Sequence, residues 1–274
     1  MYKEVGGIFE TNPKKTPFAH ANKLYLGYCS SDAWSGNAGP TPETFGLFFR
    51  GQRIVEAALK YLVVEHGLGS SSSGAQRMLF GGCSAGARGA SFTLDYVPSI
   101  LERAGAAPGK VEVRGLLDSS LWINYPPYGA PVVISLMCQT QAISTFINAT
   151  GRYGDACRAL YPDASESWKC LFGQYRMPTL TTPYALNEAQ FDSFQIDYDM
   201  GGSNPQSPGQ VAFALGFGQA MAAQVKALPT PAQTGSGVFS SACLHHWRAL
   251  ACLPPCAPPP PPSLPSPGAC CCGV

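Results

Sequence analysis

The chain has 274 residues, of which 45% are apolar and only 13% charged, and its formal net charge is +1. That length and apolar content allow one large α/β domain or two small ones with a sizeable core, of which we favour one, and the charge gives no basis for nucleic-acid binding or electrostatic docking on a membrane. Eleven cysteines make no paired C-x-x-C zinc knuckles with histidine, so an oxidising compartment with disulfides is expected, the odd total leaving one thiol over or paired between chains.

Residues 1–22 are rich in Gly, Pro, Lys and Asn and read as loop; Met1-Tyr2-Lys3-Glu4-Val5 has no apolar signal core. Residues 23–28 are a short β-prone run. The polar loop Cys29-Ser30-Ser31-Asp32-Ala33-Trp34-Ser35-Gly36 follows at its C-terminal end, where ligands bind on parallel sheets, so Ser31, Asp32 and Trp34 are candidate substrate-binding residues. From 44 to 66 apolar residues recur at helical spacing, and Gly67 can stop that helix. A serine loop at 70–74 leads to the apolar run Met78-Leu79-Phe80, then to Gly81-Gly82-Cys83-Ser84-Ala85-Gly86-Ala87-Arg88-Gly89 and a helix expected over 86–103.

Gly82-Cys83-Ser84-Ala85-Gly86 is a G-x-S-x-G turn between a strand and a helix. Such a turn needs glycine at its flanks because the serine is held in a strained conformation and a β-carbon on either side would collide with strand or helix. It lifts the hydroxyl of Ser84, a candidate nucleophile, clear of the sheet and leaves the Ala85 N–H at a helix N-terminus, where it can donate to an oxyanion. With 30 glycines in the chain the bare pattern arises readily by chance, so its partners decide its meaning.

Residues 111–117 form the next strand, ending in Asp118-Ser119-Ser120, and the strand–helix alternation predicts an α/β fold with a doubly wound, mostly parallel sheet. A proline turn at 125–131 precedes a helix over 132–148, whose end carries the sequon Asn148-Ala149-Thr150. The region 157–176 reads as a cap over the sheet, 180–186 as a late strand, 188–196 as the turn from it, 210–228 as an alanine-rich helix and 238–242 as a short strand leading to Cys243-Leu244-His245-His246. We expect one domain over 1–250 and, over 251–274, a Pro/Cys-rich extended tail that cannot pack a core. No segment is long and apolar enough to span a bilayer.

A serine nucleophile needs a base and a carboxylate to orient it. His20 lies in the N-terminal loop and His66 at a helix end, where a cation favours the dipole. His245 and His246 follow the last strand, where the base belongs in the order Ser, Asp, His; residue spacing leaves both open. For the acid, Asp118 follows the strand after the elbow and can equally be an N-cap or a loop-bracing residue; it is also a candidate substrate-binding residue. Asp192, Asp197 and Asp199 follow a later strand, the usual position.

Tyr28 to Gly36, the serine turn, and Val113-Arg114-Gly115-Leu116-Leu117-Asp118-Ser119 together resemble the pectin acetylesterase/Notum family of serine carboxylesterases, the first block being closest to the Notum branch; with the late motifs the similarity covers roughly residues 5 to 250. The resemblance implies an α/β-hydrolase-like fold and a Ser-Asp-His triad without metal or other cofactor. It makes Ser84 the nucleophile, Asp192 the acid through Phe191-Asp192-Ser193-Phe194-Gln195, and His246 the base through Cys243-Leu244-His245-His246, with Ala85 as oxyanion donor. Nothing like the family's Gly-Gly-Trp turn precedes Gly6-Gly7-Ile8, so the N-terminal strand and its oxyanion donors are expected to be missing.

The implied activity is hydrolysis of an O-acyl ester through an acyl-enzyme by a secreted or cell-wall monomer. The implied substrate is acetylated pectin or a related polysaccharide, the alternative a long-chain acyl protein as in the Notum branch. A catalytically impaired glycan-binding protein is a reading from another class. A thiol hydrolase using Cys83 is a weaker one, since Cys83 fills the variable elbow position.

Overall fold

In a computed structural model that describes residues 7–129, 135–202, 204–229 and 231–246, four strands form one parallel sheet. They are β1 (Gln76–Cys83), β2 (Val111–Asp118), β3 (Tyr184–Asp192) and β4 (Gly237–His245), paired in the order 1-2-3-4. Helix α1 (Gly51–His66) precedes β1, and the crossovers carry α2 (Ala85–Thr93), α3 (Val97–Arg103), α4 (Leu136–Phe146), α5 (Asp155–Leu160), α6 (Gly173–Arg176), α7 (Ser193–Met200) and α8 (Pro208–Ala227). Each crossover steps the same way across the sheet, so right-handed connections place the helices over one face. The reversal of strand order that double winding requires does not occur among the described strands.

Alternation along β1 and β2 decides which face is covered. Met78, Phe80, Val113 and Leu117 join Leu94, Leu186, Ile196, Met177 and Phe217 in the main core, while Arg77, Leu79, Glu112 and Arg114 are exposed. On that open face Glu112 pairs with Arg77 at 3.2 Å and with Arg114 at 2.6 Å, contacts that solvent screens to small values.

Several elements differ from expectation for local reasons. Residues 23–28 are not a strand: they pair with no neighbour among the described residues, and β-propensity counts only where a ladder and an apolar face exist. The first helix begins at Gly51 because Phe45 and Gly46 take φ of 54° and 73°, which breaks a helix before it. Its end is as expected, Gly67 being left-handed with its N–H on Val63 O. The helix expected over 86–103 is split at Leu94–Tyr96 by a 3-10 turn; Pro98 in the first turn of α3 has no N–H to continue it. The helix expected over 132–148 is described from Leu136, capped by Ser135. The late strand runs on to Asp192. Gly6, residues 130–134 and the Pro/Cys-rich tail 251–274 lie outside the described residues.

The cap of residues 155–179 is fastened to α2 at two points. The disulfide Cys157–Cys170 is buried beside Phe92 and Ile147. Arg176, fully buried, donates to Asp95 Oδ2 at 2.9 Å and to Ser91 O at 3.1 Å. Opening a loop of this length by replacing Cys157 and Cys170 with Ser should lower stability by about 2–4 kcal/mol, seen as a lower denaturant midpoint.

Candidate active site

Ser84 sits between the last residue of β1 and the first of α2 with φ 52° and ψ −120°. Positive φ is uncommon for a residue with a β-carbon and costs on the order of 1–3 kcal/mol. Two features hold it there. The Ser84 N–H donates to Asp118 O at 2.8 Å, extending the β1–β2 ladder by one rung. Strand and helix also approach so closely that a Cβ on Gly82 would lie 2.5 Å from the Gly86 carbonyl carbon. The first intrahelical bond of α2 runs from Arg88 N–H to Ser84 O at 3.0 Å, so the Ala85 N–H has no carbonyl of its own helix to meet.

Pairing of β3 with β4 sets Asp192 opposite His245, and His246 is the first residue beyond the strand. Ser119 Oγ donates to the His246 carbonyl at 2.9 Å and so ties it to the end of β2. The imidazole Nε2 lies 2.8 Å from Ser84 Oγ, and Nδ1 lies 2.8 and 2.9 Å from the two Asp192 oxygens. With the Nδ1 proton facing the carboxylate, Nε2 is left to accept from the serine hydroxyl.

Asp192 is fully buried and caps α7. It accepts from Phe194 N–H at 2.9 Å, Gln195 N–H at 3.1 Å and Gln195 Nε2 at 3.1 Å. Gln195 is fixed in turn by Ile123 N–H and Leu121 O. A register shift between Ala189 and Phe191 re-aims the end of β3, as bulges near sites do. Of the other candidate acids, Asp197 is exposed on α7. Asp199 is buried, and burial pushes its carboxyl up to about 7.

The remaining nominated residues fall elsewhere. Asp118 is fully buried at the end of β2, where it accepts from Asn187 Nδ2 at 2.6 Å and so braces the elbow from beneath rather than facing a substrate. Asp32 is buried as well, and accepts from Ser30 Oγ, the N–H groups of Trp34 and Gly36, and Gly51 N–H at 2.7 Å. Its carboxylate is consumed in joining the loop to the start of α1. Ser31 is exposed with φ 51°. Trp34 does reach the elbow: it stacks on Tyr28 at 4.4 Å, and its Cζ3 lies 3.6 Å from where a Gly86 Cβ would be.

One wall of the site comes from residues that motif reasoning did not nominate. Phe194 lies 5.0 Å from the His246 ring and 5.4 Å from Trp122, and the Arg88 guanidinium carbon sits 4.1 Å over Trp122. Arg88 is one helical turn beyond Ser84, so the wall returns to the helix that carries the nucleophile. Its Nη2 donates to Thr140 Oγ1 at 3.3 Å, its buried Nε meets no acceptor among the described residues, and it forms no salt bridge among them. Burial lowers its pKa to about 10, which leaves it charged at neutral pH. Its i+4 spacing from Ser84 was the available sequence signal.

Serine on a strand-to-helix turn, with histidine and aspartate from two later strand ends of a parallel sheet, is the layout of the α/β-hydrolase-like class. Within that class the chain belongs to the pectinacetylesterase family, whose model matches residues 1–252. It is 33% identical over 201 residues to palmitoleoyl-protein carboxylesterase notum1' of Xenopus laevis, which covers 72% of this chain and 39% of that protein. It is 31% identical over 247 residues to the human palmitoleoyl-protein carboxylesterase NOTUM, covering 88% of this chain and 46% of that one. The chain thus spans less than half the length of these relatives. A crystal structure of the Wnt deacylase Notum from Drosophila superposes with a TM-score of 0.79 at 27% identity, over 91% of this chain and 67% of that chain.

Removing the Asp32 carboxylate strands several buried N–H groups. Asp32→Ala is expected to lower stability by about 2–5 kcal/mol and to shift Trp34 fluorescence, whereas Ser31→Ala should leave both unchanged.

Proposed function

We propose that the protein is a serine carboxylesterase that hydrolyses an O-acyl ester through an acyl-enzyme. The observation carrying this reading is the unbroken line from Ser84 Oγ through the His246 ring to Asp192, with both contacts at 2.8 Å. His246 Nε2 takes the Ser84 proton as Oγ attacks the acyl carbonyl, and the Ala85 N–H donates to the oxyanion. His246 then returns that proton to the departing alkoxide oxygen. In the second half it takes a proton from water, which attacks the acyl-serine, and it returns that proton to the departing Ser84 Oγ, releasing the acid and the free serine hydroxyl. Asp192 keeps the imidazole in the required tautomer throughout.

The substrate we propose is an acetyl ester on pectin or a related polysaccharide. Arg88 favours it: a buried cation within one turn of the nucleophile suits a short acyl group and a polar or anionic acceptor, and opposes a long hydrocarbon chain. The second reading, a long-chain acyl protein as substrate, draws on the similarity to palmitoleoyl-protein carboxylesterases. An extracellular location is supported by the Cys157–Cys170 disulfide and the exposure of Asn148 in its sequon. We read residues 1–250 as the esterase domain, acting as a monomer, and 251–274 as an appendage.

Ser84→Ala is expected to reduce p-nitrophenyl acetate hydrolysis by about 10⁴-fold or more with the fold unchanged; retained turnover would overturn the assignment. The wild type should prefer acetyl over octanoyl p-nitrophenyl esters. Arg88→Leu should raise the octanoyl-to-acetyl ratio of kcat/KM by about tenfold or more, and an octanoyl preference in the wild type would favour the second reading.

A further inference from the structure

Three carboxylates, Asp118, Glu188 and Asp192, lie fully buried at or near the C-terminal ends of β2 and β3. The mechanism uses only the last, and Asp118 is neutralised in part by the Asn187 amide. Glu188 lies in the middle of β3, whose only other charged residue type is Asp192 at its end. Its Oε2 accepts from Leu121 N–H at 2.9 Å. Its Oε1 is completely buried and meets no N–H or O–H donor among the described residues.

The Glu188 carboxyl interacts with the Asp192 carboxylate, and Asp118 lies near enough to act on the same group. Two ionised carboxylates cannot hydrogen-bond to each other, because each offers only acceptors. A bond between them exists when one keeps its proton. The donors are distributed unequally. Asp192 already receives three N–H bonds from Phe194 and Gln195 besides that of His246, while Glu188 receives one. Donors favour the charged form, so the ionised member of the pair is Asp192.

We propose that Glu188 is a positioning residue for the Ser84-His246-Asp192 site: it is held as the neutral acid and donates its Oε1 proton to the Asp192 carboxylate. Burial first, and then the negative charge of Asp192, push the Glu188 carboxyl well above the usual carboxylate range. The bond holds Asp192 in addition to its contact with the imidazole, and it keeps a second full negative charge out of the buried surroundings of Asp192. Among the described residues, the groups that act on Glu188 are Asp192 on its own strand, Asp118 from β2 and the backbone of Leu121, and none of these is a cation that would hold it ionised. The inference rests on the triad reading for its functional meaning, but the protonation state can be measured without it.

Glu188→Gln is the decisive variant, since an amide keeps the shape and a donor without the charge. The acidic limb of its kcat/KM profile on p-nitrophenyl acetate should stay within about 0.3 pH unit of wild type, because no charge near the histidine has been removed. A downward shift of about one unit or more would mean that Glu188 was ionised, and would overturn the proposal. Stability gives an activity-independent reading. Glutamate in an unfolded chain ionises near about pH 4.3, so a native Glu188 that keeps its proton binds more protons than the unfolded state above that pH. Wild-type stability therefore falls as pH rises through this window, and that loss is absent in the variant.

The stability difference should move steadily in favour of Glu188→Gln between about pH 5 and 8; a difference flat with pH contradicts the proposal. The elevated titration of Asp199 is common to both proteins and cancels. Should the variant not fold, infrared spectroscopy of the wild type at about pH 9, where Asp199 is ionised, still decides. A protonated-carboxyl C=O band supports a neutral Glu188 and its absence overturns it. Loss of activity in Ser84→Ala together with an unshifted Glu188 band would leave the triad standing and this inference with it, whereas intact activity in Ser84→Ala would remove the triad and leave the protonation state as a separate fact.

Discussion

The site depends on one backbone conformation, that of Ser84 at φ 52° and ψ −120°. A residue with a β-carbon does not stay there unaided. It is retained because β1 continues its ladder through the Ser84 N–H to Asp118 O while α2 begins at once, and only glycine at 82 lets the helix start that close. The conformation aims the hydroxyl away from the sheet and leaves a first-turn N–H beside it, so nucleophile and oxyanion donor follow from the same turn.

Everything else near Ser84 is placed by strand register. Because β2, β3 and β4 are parallel and in sequence order, their C-terminal ends form one rim. Ser119, Asp192 and His246 come from three successive strand ends and meet there. The buried carboxylate of Asp192 is tolerable in that rim because it caps α7 and is bound by Gln195. Buried charge is costly unless donors surround it. The cap, stapled by Cys157–Cys170 and Arg176, packs on the far part of α2 and keeps that helix seated on the sheet.

Much of this was legible in the sequence because it is local. The elbow glycines, the Gly67 stop and the strand periods are written in a few adjacent residues. Residue spacing left the acid and base ambiguous, and the family blocks around Asp192 and His246 named the two residues that the fold brings within hydrogen-bond distance of each other, His246 in turn reaching Ser84. What could not be read is long-range. Asp32 and Trp34 sit in one polar loop, yet Asp32 turns inward to Gly51 while Trp34 lies on the elbow, a difference set by the approach of α1. Asp118 looks solvent-facing as a strand-end acid and is buried by Asn187 on the neighbouring strand. The wall of Arg88, Trp122 and Phe194 joins three distant segments, and only a folded sheet puts them in line. Residues 23–28 have the composition of a strand and no ladder to join.

The most direct measurement of the central claim, that Ser84 is an activated nucleophile, is reaction with a fluorophosphonate probe followed by peptide mass spectrometry. The account predicts a single stable phosphonyl adduct on Ser84 in the native protein, lost on denaturation beforehand and reduced severely in His246→Ala. Folded protein that takes up no probe, or takes it up at another residue, would contradict it.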